Sequence, residues 1–168
     1  MSQSGEGAGD PGSKVLDGDV GVVLPAAGSG RRMGGTRKPF LELAGVPVLL
    51  HAIRPFLRHP RVTAVRVALP VDDAAHPPAW LLDEDPRVSV VAGGESRAAS
   101  VLAALESLPD SVEVVLVHDG ARPLVDRGTI DRCLSAITAE QGAVAALPVT
   151  DTLKEVSPAR VVEGTPER

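Results

Sequence analysis

The residues most able to do chemistry are cations that follow a loop of small residues. Arg32 and Lys38 come after the run A-A-G-S-G at 26–30, and a short apolar run at 20–24 precedes that loop. Small residues leave backbone N–H groups free to surround an anion, and glycine accepts the positive φ that such a loop needs. Guanidinium and ammonium groups neutralise phosphate oxygens. The stretch predicts a polyphosphate site in which Arg32 and Lys38 hold a triphosphate from two sides.

Two familiar phosphate-binding motifs do not fit this loop. A P-loop requires Ser or Thr after its lysine, whereas Pro39 follows Lys38. A dinucleotide fingerprint requires a third glycine where Met33 stands. A tight turn without a ligand stays open, because Gly28-x-Gly30 alone is a weak signal.

A second glycine pair follows a short predicted strand at 88–91. The run G-G-E-S-R-A-A-S-V at 93–101 then contains a serine that is typical of a helix start, and apolar residues continue at helical spacing to Leu108. The pattern predicts a strand, a loop and a helix. An ordinary glycine turn with a helix N-cap would produce the same pattern, and arginine at 97 would then organise the loop through salt bridges.

A carboxylate follows the most apolar strand of the sequence. Residues 112–117 predict that strand, and H-D-G-A-R-P follows at 118–123. Open α/β sheets bind ligands at the carboxyl ends of their strands, and Mg²⁺ binds proteins through one or two carboxylates together with substrate phosphates. We therefore expect Asp119, at the end of a central parallel strand, to be a metal ligand. The alternative, in which Asp119 caps a turn and pairs with Arg122, stays open.

Other stretches predict the elements that position these residues. Periodicity predicts a helix at 48–57, a strand at 62–69, a helix that begins after Asp126, and a buried strand at 143–148. The Asp72-Asp73 pair is expected to cap an irregular proline-rich segment. Together they predict an α/β fold: a three-layer Rossmann-like domain at 19–168, with a mostly parallel twisted sheet and the site at its carboxyl edge. Residues 1–18 are expected to form a disordered leader.

Composition narrows the class of protein. The chain has 168 residues, of which 43% are hydrophobic, enough for one domain with a full core. The net charge of −5 argues against a general binder of nucleic acid or of acidic membranes. There is no signal peptide and no apolar run of membrane-spanning length, so a cytoplasmic protein is expected. No histidine pair has the spacing of metal ligands.

Three strings carry a family resemblance. P-A-A-G-S-G-R-R-M-G, followed by K-P-F, resembles the signature of sugar-phosphate nucleotidyltransferases. The later G-G-E-S-R-A-A-S-V and H-D-G-A-R-P narrow the resemblance to the 2-C-methyl-D-erythritol 4-phosphate cytidylyltransferases of isoprenoid precursor synthesis. It runs from residue 20 to residue 168 and implies transfer of CMP from CTP to 2-C-methyl-D-erythritol 4-phosphate. The products would be 4-diphosphocytidyl-2-C-methyl-D-erythritol and pyrophosphate, with Mg²⁺ as cofactor and a homodimer in the full-length form.

The resemblance also implies roles for individual residues. Two cations, Arg32 and Lys38, would be catalytic, and Asp119 would bind both metal and substrate. The nucleotide would be bound by Pro25, Ala26, Ala27, Gly28, Gly94, Glu95 and Ser100. The acceptor phosphate would be bound by Arg122, Thr152 and Arg168.

This sequence departs from the family pattern in several places. Glu95 stands where Asp is common, Ala99 where a polar residue is frequent, and Gly120 where Ala is usual. The sequence also lacks the family's C-terminal part, which follows the start of a dimerisation arm near Arg168. A turn threonine is the alternative interpretation of Thr152.

Other functions stay open beside the resemblance. A ribitol-5-phosphate cytidylyltransferase shares the loop and the H-D-x-x-R-P string. A catalytically silent nucleotide-binding domain would bind CTP without releasing pyrophosphate. An NAD(P)-binding domain is disfavoured by Met33.

Overall fold

The computed structural model describes residues 14–28 and 38–167, and its centre is a four-stranded sheet. In chain order the strands are β1 (Asp19–Pro25), β2 (Glu42–Leu43), β3 (Val46–Pro47), β4 (Val62–Leu69), β5 (Val88–Ala92), β6 (Val112–Val117), β7 (Glu155–Val156) and β8 (Val162–Gly164). The helices are α1 (Val48–Leu57), α2 (Val71–Ala75), α3 (Ala79–Leu82), α4 (Arg97–Glu106) and α5 (Arg127–Ser135), and a 3-10 turn covers Lys38–Phe40.

The central sheet is parallel and has the strand order β5-β4-β1-β6. Strand β1 lies inside the sheet and is covered on both faces, which explains why Val20, Val22, Val23 and Leu24 are all fully buried. A continuous apolar run is what such a strand requires. The predicted α/β fold with a mostly parallel sheet is confirmed.

Helices cover the two faces of the sheet unequally. Helices α1 and α5 pack on one face, where Leu49, Ile53 and Ile130 join the larger core cluster. Helix α4 packs on the other face, where Ala104 contacts Val23 and Ala68 in a smaller cluster. The result is the predicted three-layer arrangement.

The parallel direction of the strands brings the three chemically interesting stretches to one edge. The chain leaves β1, β5 and β6 at their carboxyl ends and continues the ladder briefly: Ala26 N–H donates to Ala68 O (2.8 Å), Gly93 N–H to Leu69 O (2.7 Å), and His118 N–H to Val23 O (2.9 Å). These three loops are therefore held close together before any side chain is considered.

Two predictions about the sheet are wrong. Residues 143–148 form no strand in the structure, and Val144 and Leu147 are 90% and 89% exposed. A strand needs a neighbour to pair with and a face to bury, so an apolar run alone does not create one. Strand β6, expected to be central, is an edge strand of the sheet within the described residues.

Two local predictions also need correction. Asp72 and Asp73 do not cap an irregular segment but lie in the first turn of α2, where acidic side chains complement the helix dipole. The predicted leader, 1–18, is described only from residue 14. In this described part, Val15 forms a β-bridge with Thr138, and Arg61 donates hydrogen bonds to Leu16 O and Gly18 O.

Candidate active site

An open cleft of about 970 Å³ lies at the carboxyl edge of the parallel sheet. Its walls come from the loop after β1, the 3-10 turn, the start of α4 and the loop after β6. The residues that line it are Pro25, Ala26, Ala27, Gly28, Lys38, Pro39, Gly94, Glu95, Ser96, Arg97, Ser100, Asp119, Ala121 and Arg122.

The loop after β1 and the loop after β5 approach each other closely. A Cβ placed on Gly93 would lie 2.5 Å from Ala27 Cβ and 2.9 Å from Ser100 Oγ, which no side chain at position 93 would tolerate. Glycine at this position and alanine at 27 thus allow two backbone segments to meet at the floor of the cleft. In the sequence, this contact was indicated by the small residues at 26–30 and by the glycine pair at 93–94.

The first turn of α4 presents organised polar groups to the cleft. Ser96 is the N-cap, and its Oγ accepts a hydrogen bond from Ala99 N–H (3.0 Å). Ser100 is buried, and its Oγ lies 2.9 Å from Ser96 O and 3.3 Å from Gly94 O. These carbonyls take the one hydroxyl proton, so the lone pairs of Ser100 Oγ are the part that a ligand donor would meet.

Two arginines hold the carboxylate at the end of β6. Arg97 donates to Asp119 Oδ1 from Nε (3.0 Å) and Nη2 (2.8 Å), and Arg122 donates to Oδ2 from Nε (2.9 Å). Burial raises the pKa of Asp119, but the hydrogen bonds and charges of the two arginines outweigh it and lower the pKa below its usual value. His118 Nε2 also lies 2.9 Å from Arg122 O, which fixes the backbone of this turn.

This geometry confirms one part of the alternative interpretation of Asp119, namely that its carboxylate pairs with Arg122. It also confirms that arginine at 97 makes a salt bridge to an adjoining loop. Asp119 still fits a Mg²⁺ ion, because a carboxylate has about four lone-pair sites and Mg²⁺ needs only one or two carboxylates when phosphates complete its shell. Among the described residues no cluster of three or more His, Cys, Asp or Glu side chains could hold an ion, so substrate oxygens would have to supply the other ligands.

The predicted site residues fall into three groups. Every predicted residue that the structure describes, except Thr152, lines the cleft. Thr152 lies in an exposed stretch away from the cleft lining, while Arg32 and Arg168 lie outside the described residues. Four of the described lining residues were not among the predicted site residues: Pro39, Ser96, Arg97 and Ala121. Of these, Ser96 was the helix-start signal, and Arg97 was expected only to organise its loop.

Comparison with known proteins relates the whole domain to one family. Residues 20–168 match the family described as "IspD: 2-C-methyl-D-erythritol 4-phosphate cytidylyltransferase". A protein of that name from Shewanella amazonensis is 43% identical over 155 residues, which cover 88% of this chain and 63% of that protein. A second, from Streptomyces avermitilis, is 43% identical and is covered over 64% of its length. The chain therefore spans less than two thirds of the length of these curated relatives.

Solved structures give the same relationship. The crystal structure of 2-C-methyl-D-erythritol 4-phosphate cytidylyltransferase from Thermus thermophilus superimposes with a TM-score of 0.66 at 34% identity, covering 89% of this chain and 64% of that one. The 4-diphosphocytidyl-2C-methyl-D-erythritol synthase from Anaerococcus prevotii superimposes with a TM-score of 0.77 at 25% identity, with the same coverage of 89% and 64%.

Proposed function

The chain belongs to the 2-C-methyl-D-erythritol 4-phosphate cytidylyltransferase family, and we propose that it carries the catalytic cleft of an enzyme that transfers CMP from CTP to 2-C-methyl-D-erythritol 4-phosphate. One observation carries the proposal. Four separate stretches of sequence line one cleft: residues 25–28, Lys38, the Ser100 hydroxyl and the Asp119–Arg122 pair. Each supplies a group that a nucleoside triphosphate or a phosphate acceptor requires.

The nucleotide would lie across the floor of the cleft. Gly94, Glu95 and Ser100, which line the cleft, would contact the cytosine and ribose, and the backbone of residues 25–28 would contact the phosphates. Lys38 would neutralise the triphosphate from the opposite wall, and Arg32 is proposed to assist it. Fixed cations of this kind stabilise charge that builds up in the transition state, so they raise the rate of the chemical step.

The acceptor would be bound by Arg122, with Thr152 and Arg168 as further proposed contacts. Its phosphate is already ionised near neutral pH, since its second pKa is about 6, so the reaction needs no general base. An acceptor phosphate oxygen attacks the α-phosphorus of CTP and forms a new P–O bond. The bond from the α-phosphorus to the bridging oxygen breaks, and that oxygen leaves with the electron pair as part of pyrophosphate.

Asp119 would hold Mg²⁺ beside the phosphates. When bound, the ion would neutralise phosphate charge and orient the triphosphate. Because Arg97 and Arg122 already occupy both carboxylate oxygens, Asp119 keeps its position and its negative charge until metal and substrate arrive. The low pKa that these arginines cause keeps the carboxylate ionised throughout the physiological range.

A version of the chain extended to the length of the relatives is proposed to act as a cytoplasmic homodimer. The hairpin of β7 and β8 supports this proposal, because Val156 and Val162 on it are half exposed and an isolated two-stranded ribbon is only marginally stable in water. A partner surface would cover these side chains. Within the described residues no helix is both long enough and apolar enough to span a bilayer.

The decisive experiment measures pyrophosphate release with CTP, Mg²⁺ and 2-C-methyl-D-erythritol 4-phosphate. It should be run on the 168-residue chain beside a version extended to the length of the relatives. Turnover by either version supports the proposal. Turnover only with ribitol 5-phosphate would show that the acceptor is wrong, and CTP binding without pyrophosphate release in both versions would indicate a silent nucleotide-binding domain.

A further inference from the structure

An aromatic pair braces the wall of the cleft that carries Lys38. Pro39 is buried and lines the cleft, and the next residue, Phe40, packs on the main core. The Phe40 ring meets the Trp80 indole edge to face, with the ring centroids 6.1 Å apart and the ring planes at 80°. This is a preferred geometry for two aromatic rings, because the positive edge of one meets the negative face of the other.

Trp80 lies on a segment that is itself fixed at two points. The neighbouring residue in α3, Leu81, is fully buried in the core. Two residues after α3, Glu84 accepts a two-pronged ion pair from Arg54 of α1, with N–O distances of 2.7 and 2.9 Å. Burial of Leu81 and the ion pair of Glu84 therefore hold the backbone that follows Trp80, so its indole is a rigid support rather than a loose surface group.

The turn at Lys38–Phe40 needs such a support. It is a 3-10 turn of three residues, in which Leu41 N–H donates a hydrogen bond to Lys38 O at 3.2 Å. The exposed Lys38 side chain is long and flexible, so its reach into the cleft depends on where the turn places its Cα. Small errors in the placement of a catalytic group are costly.

We propose that Trp80, acting through Phe40, is a positioning residue for Lys38 and thereby strengthens the binding of the nucleotide phosphates in the cleft. The inference rests on the proposed function, because it takes Lys38 to contact those phosphates. Trp80 does not line the cleft and touches no substrate in this scheme. The competing explanation is that the indole only fills the core.

The test separates phosphate binding from folding. Dissociation constants for CTP and for cytidine are measured by titration calorimetry on the 168-residue chain, with Trp80→Leu as the variant. Loss of positioning should weaken CTP binding about two- to tenfold, the range expected for loss of an aromatic pair, while cytidine binding stays unchanged. A purely structural defect would lower the bound fraction of both ligands equally.

Three further variants sharpen this test. Trp80→Phe keeps an aromatic ring and should restore most of the CTP affinity. Leu82→Ala, at an exposed position of the same helix, is the matched control and should change neither ligand. In the background of Lys38→Ala, the Trp80→Leu change should have no further effect on CTP binding, because the group that Trp80 positions is gone.

The protein also contains its own optical reporter. Trp80 is the only tryptophan and the chain has no tyrosine, so its fluorescence can be followed without interference. CTP and inorganic pyrophosphate should change the Trp80 emission, cytidine should not, and Phe40→Leu should abolish the change.

The outcomes are distinguishable. The inference would be overturned if Trp80→Leu bound CTP as strongly as the unaltered chain and if CTP left the Trp80 emission of the unaltered chain unchanged. The proposed function would then stay intact. Absence of CTP binding both in the unaltered chain and in a version extended to the length of the relatives would overturn both. A loss of CTP affinity that persists in the Lys38→Ala background would show that Trp80 acts by a route other than Lys38.

Discussion

At the scale of single residues, the charges of the cleft are arranged in advance of any ligand. Asp119 lies between Arg97 and Arg122, whose side chains are 63% and 75% exposed. An incoming phosphate can therefore compete for either guanidinium without disturbing buried structure. Exposed ion pairs contribute little to stability, so this network is better explained by ligand binding than by folding.

Lys38 gives the sharpest prediction at this scale. In an active version extended to the length of the relatives, Lys38→Ala should lower turnover on the order of 10²–10³-fold, by analogy with loss of one preorganised donor. We expect the same of Arg32→Ala. The free energy of unfolding should change by no more than about 0.5 kcal/mol for Lys38→Ala, since Lys38 is exposed. Steady-state kinetics and denaturant unfolding measure the two effects. Lys14→Ala removes an exposed lysine away from the cleft and should change neither, whereas full turnover in Lys38→Ala would remove Lys38 from the mechanism.

The close approach at Gly93 gives a second prediction. Gly93→Ala should weaken CTP binding at least about tenfold and destabilise the fold by about 1–3 kcal/mol, because the new methyl group must push Ala27 or Ser100 out of place. Calorimetry and urea unfolding provide the readouts. Gly142→Ala is the matched control, since nothing lies within 4 Å of its added Cβ. Normal CTP affinity in Gly93→Ala would mean that the floor of the cleft does not contact nucleotide.

The sequence could predict much of this residue-level arrangement. Asp119 was identifiable because it follows a strand whose carboxyl end must reach the ligand-binding edge of a parallel sheet, whereas Ser100 was identified through the family resemblance. The double pairing of Asp119 was harder to predict in full, because the distance between the loops after β5 and β6 depends on packing. The role of Thr152 came from the family resemblance and stays a prediction, since Thr152 does not line the cleft of this structure.

At the scale of elements, one arginine ties together several chain segments. Arg87 donates to Leu57 O at the end of α1 and to Val62 O at the start of β4, both at 2.8 Å, and its Nε and Nη2 also donate to the carboxylate of Asp85. Hydrogen bonds from the Arg87 side chain and from its backbone N–H lower the pKa of Asp85 to about 2. The turn before β5 is thus fixed by one side chain that satisfies two carbonyls.

The hydrogen bonds between Asp85 and Arg87 make a pH-dependent contribution to the stability of the fold. The pKa of Asp85 is lower in the folded state than its ordinary value of 3.8, so its stabilising effect is complete above about pH 4 and is lost as the pH falls through about 2. Asp85→Asn should lower the free energy of unfolding by about 1–2 kcal/mol at neutral pH, and the difference from the unaltered chain should shrink below about pH 4. Urea unfolding across this range measures it. A difference that is constant with pH would contradict the assignment.

A second pH-dependent contact, between His59 after α1 and Asp131 of α5, changes its charge near neutral pH. His59, buried after α1, lies 3.2 Å from Asp131 of α5. Burial lowers the pKa of His59, the charge of Arg127 lowers it further, and Asp131 opposes the shift only in part. The fold thus prefers neutral His59, and the free energy of unfolding should fall as the pH drops below its ordinary pKa of 6.5. His59→Gln should flatten this slope in urea unfolding between about pH 7.5 and pH 5.5, and an unchanged slope would assign it to other groups.

The elements also show where sequence patterns fail. Strands β1, β4 and β6 were predictable because each apolar run lies beside another strand in the finished sheet. The run A-V-A-A-L-P at 143–148 is also apolar, but in the structure it forms no strand and its valine and leucine face solvent. Pairing is a property of the tertiary structure, so local composition does not decide it.

At the scale of the whole molecule, the two faces of the sheet differ in how well they are covered. One face packs against α1 and α5 with a large core, whereas the other packs against α4 with a small one. Val117, Leu124, Val144 and Leu147 all remain exposed. Single exposed apolar side chains are common on folded proteins, so they mark an interface only where they form one continuous patch.

The exposed segment at 143–148 allows the final prediction. If Val144 and Leu147 face solvent as the structure shows, the double change Val144→Ser with Leu147→Ser should leave the free energy of unfolding of the 168-residue chain within about 0.5 kcal/mol, as at other exposed positions. If they were instead packed in a buried strand, the loss should be several kcal/mol, because large buried side chains cost about 2–5 kcal/mol each when truncated. The same change should reduce concentration-dependent self-association in sedimentation velocity, since it removes exposed apolar surface. Val71→Ser, which alters a valine of α2 that is 64% exposed, controls for loss of apolar surface elsewhere. A large loss of stability in the double variant alone would show that 143–148 packs against the domain in solution.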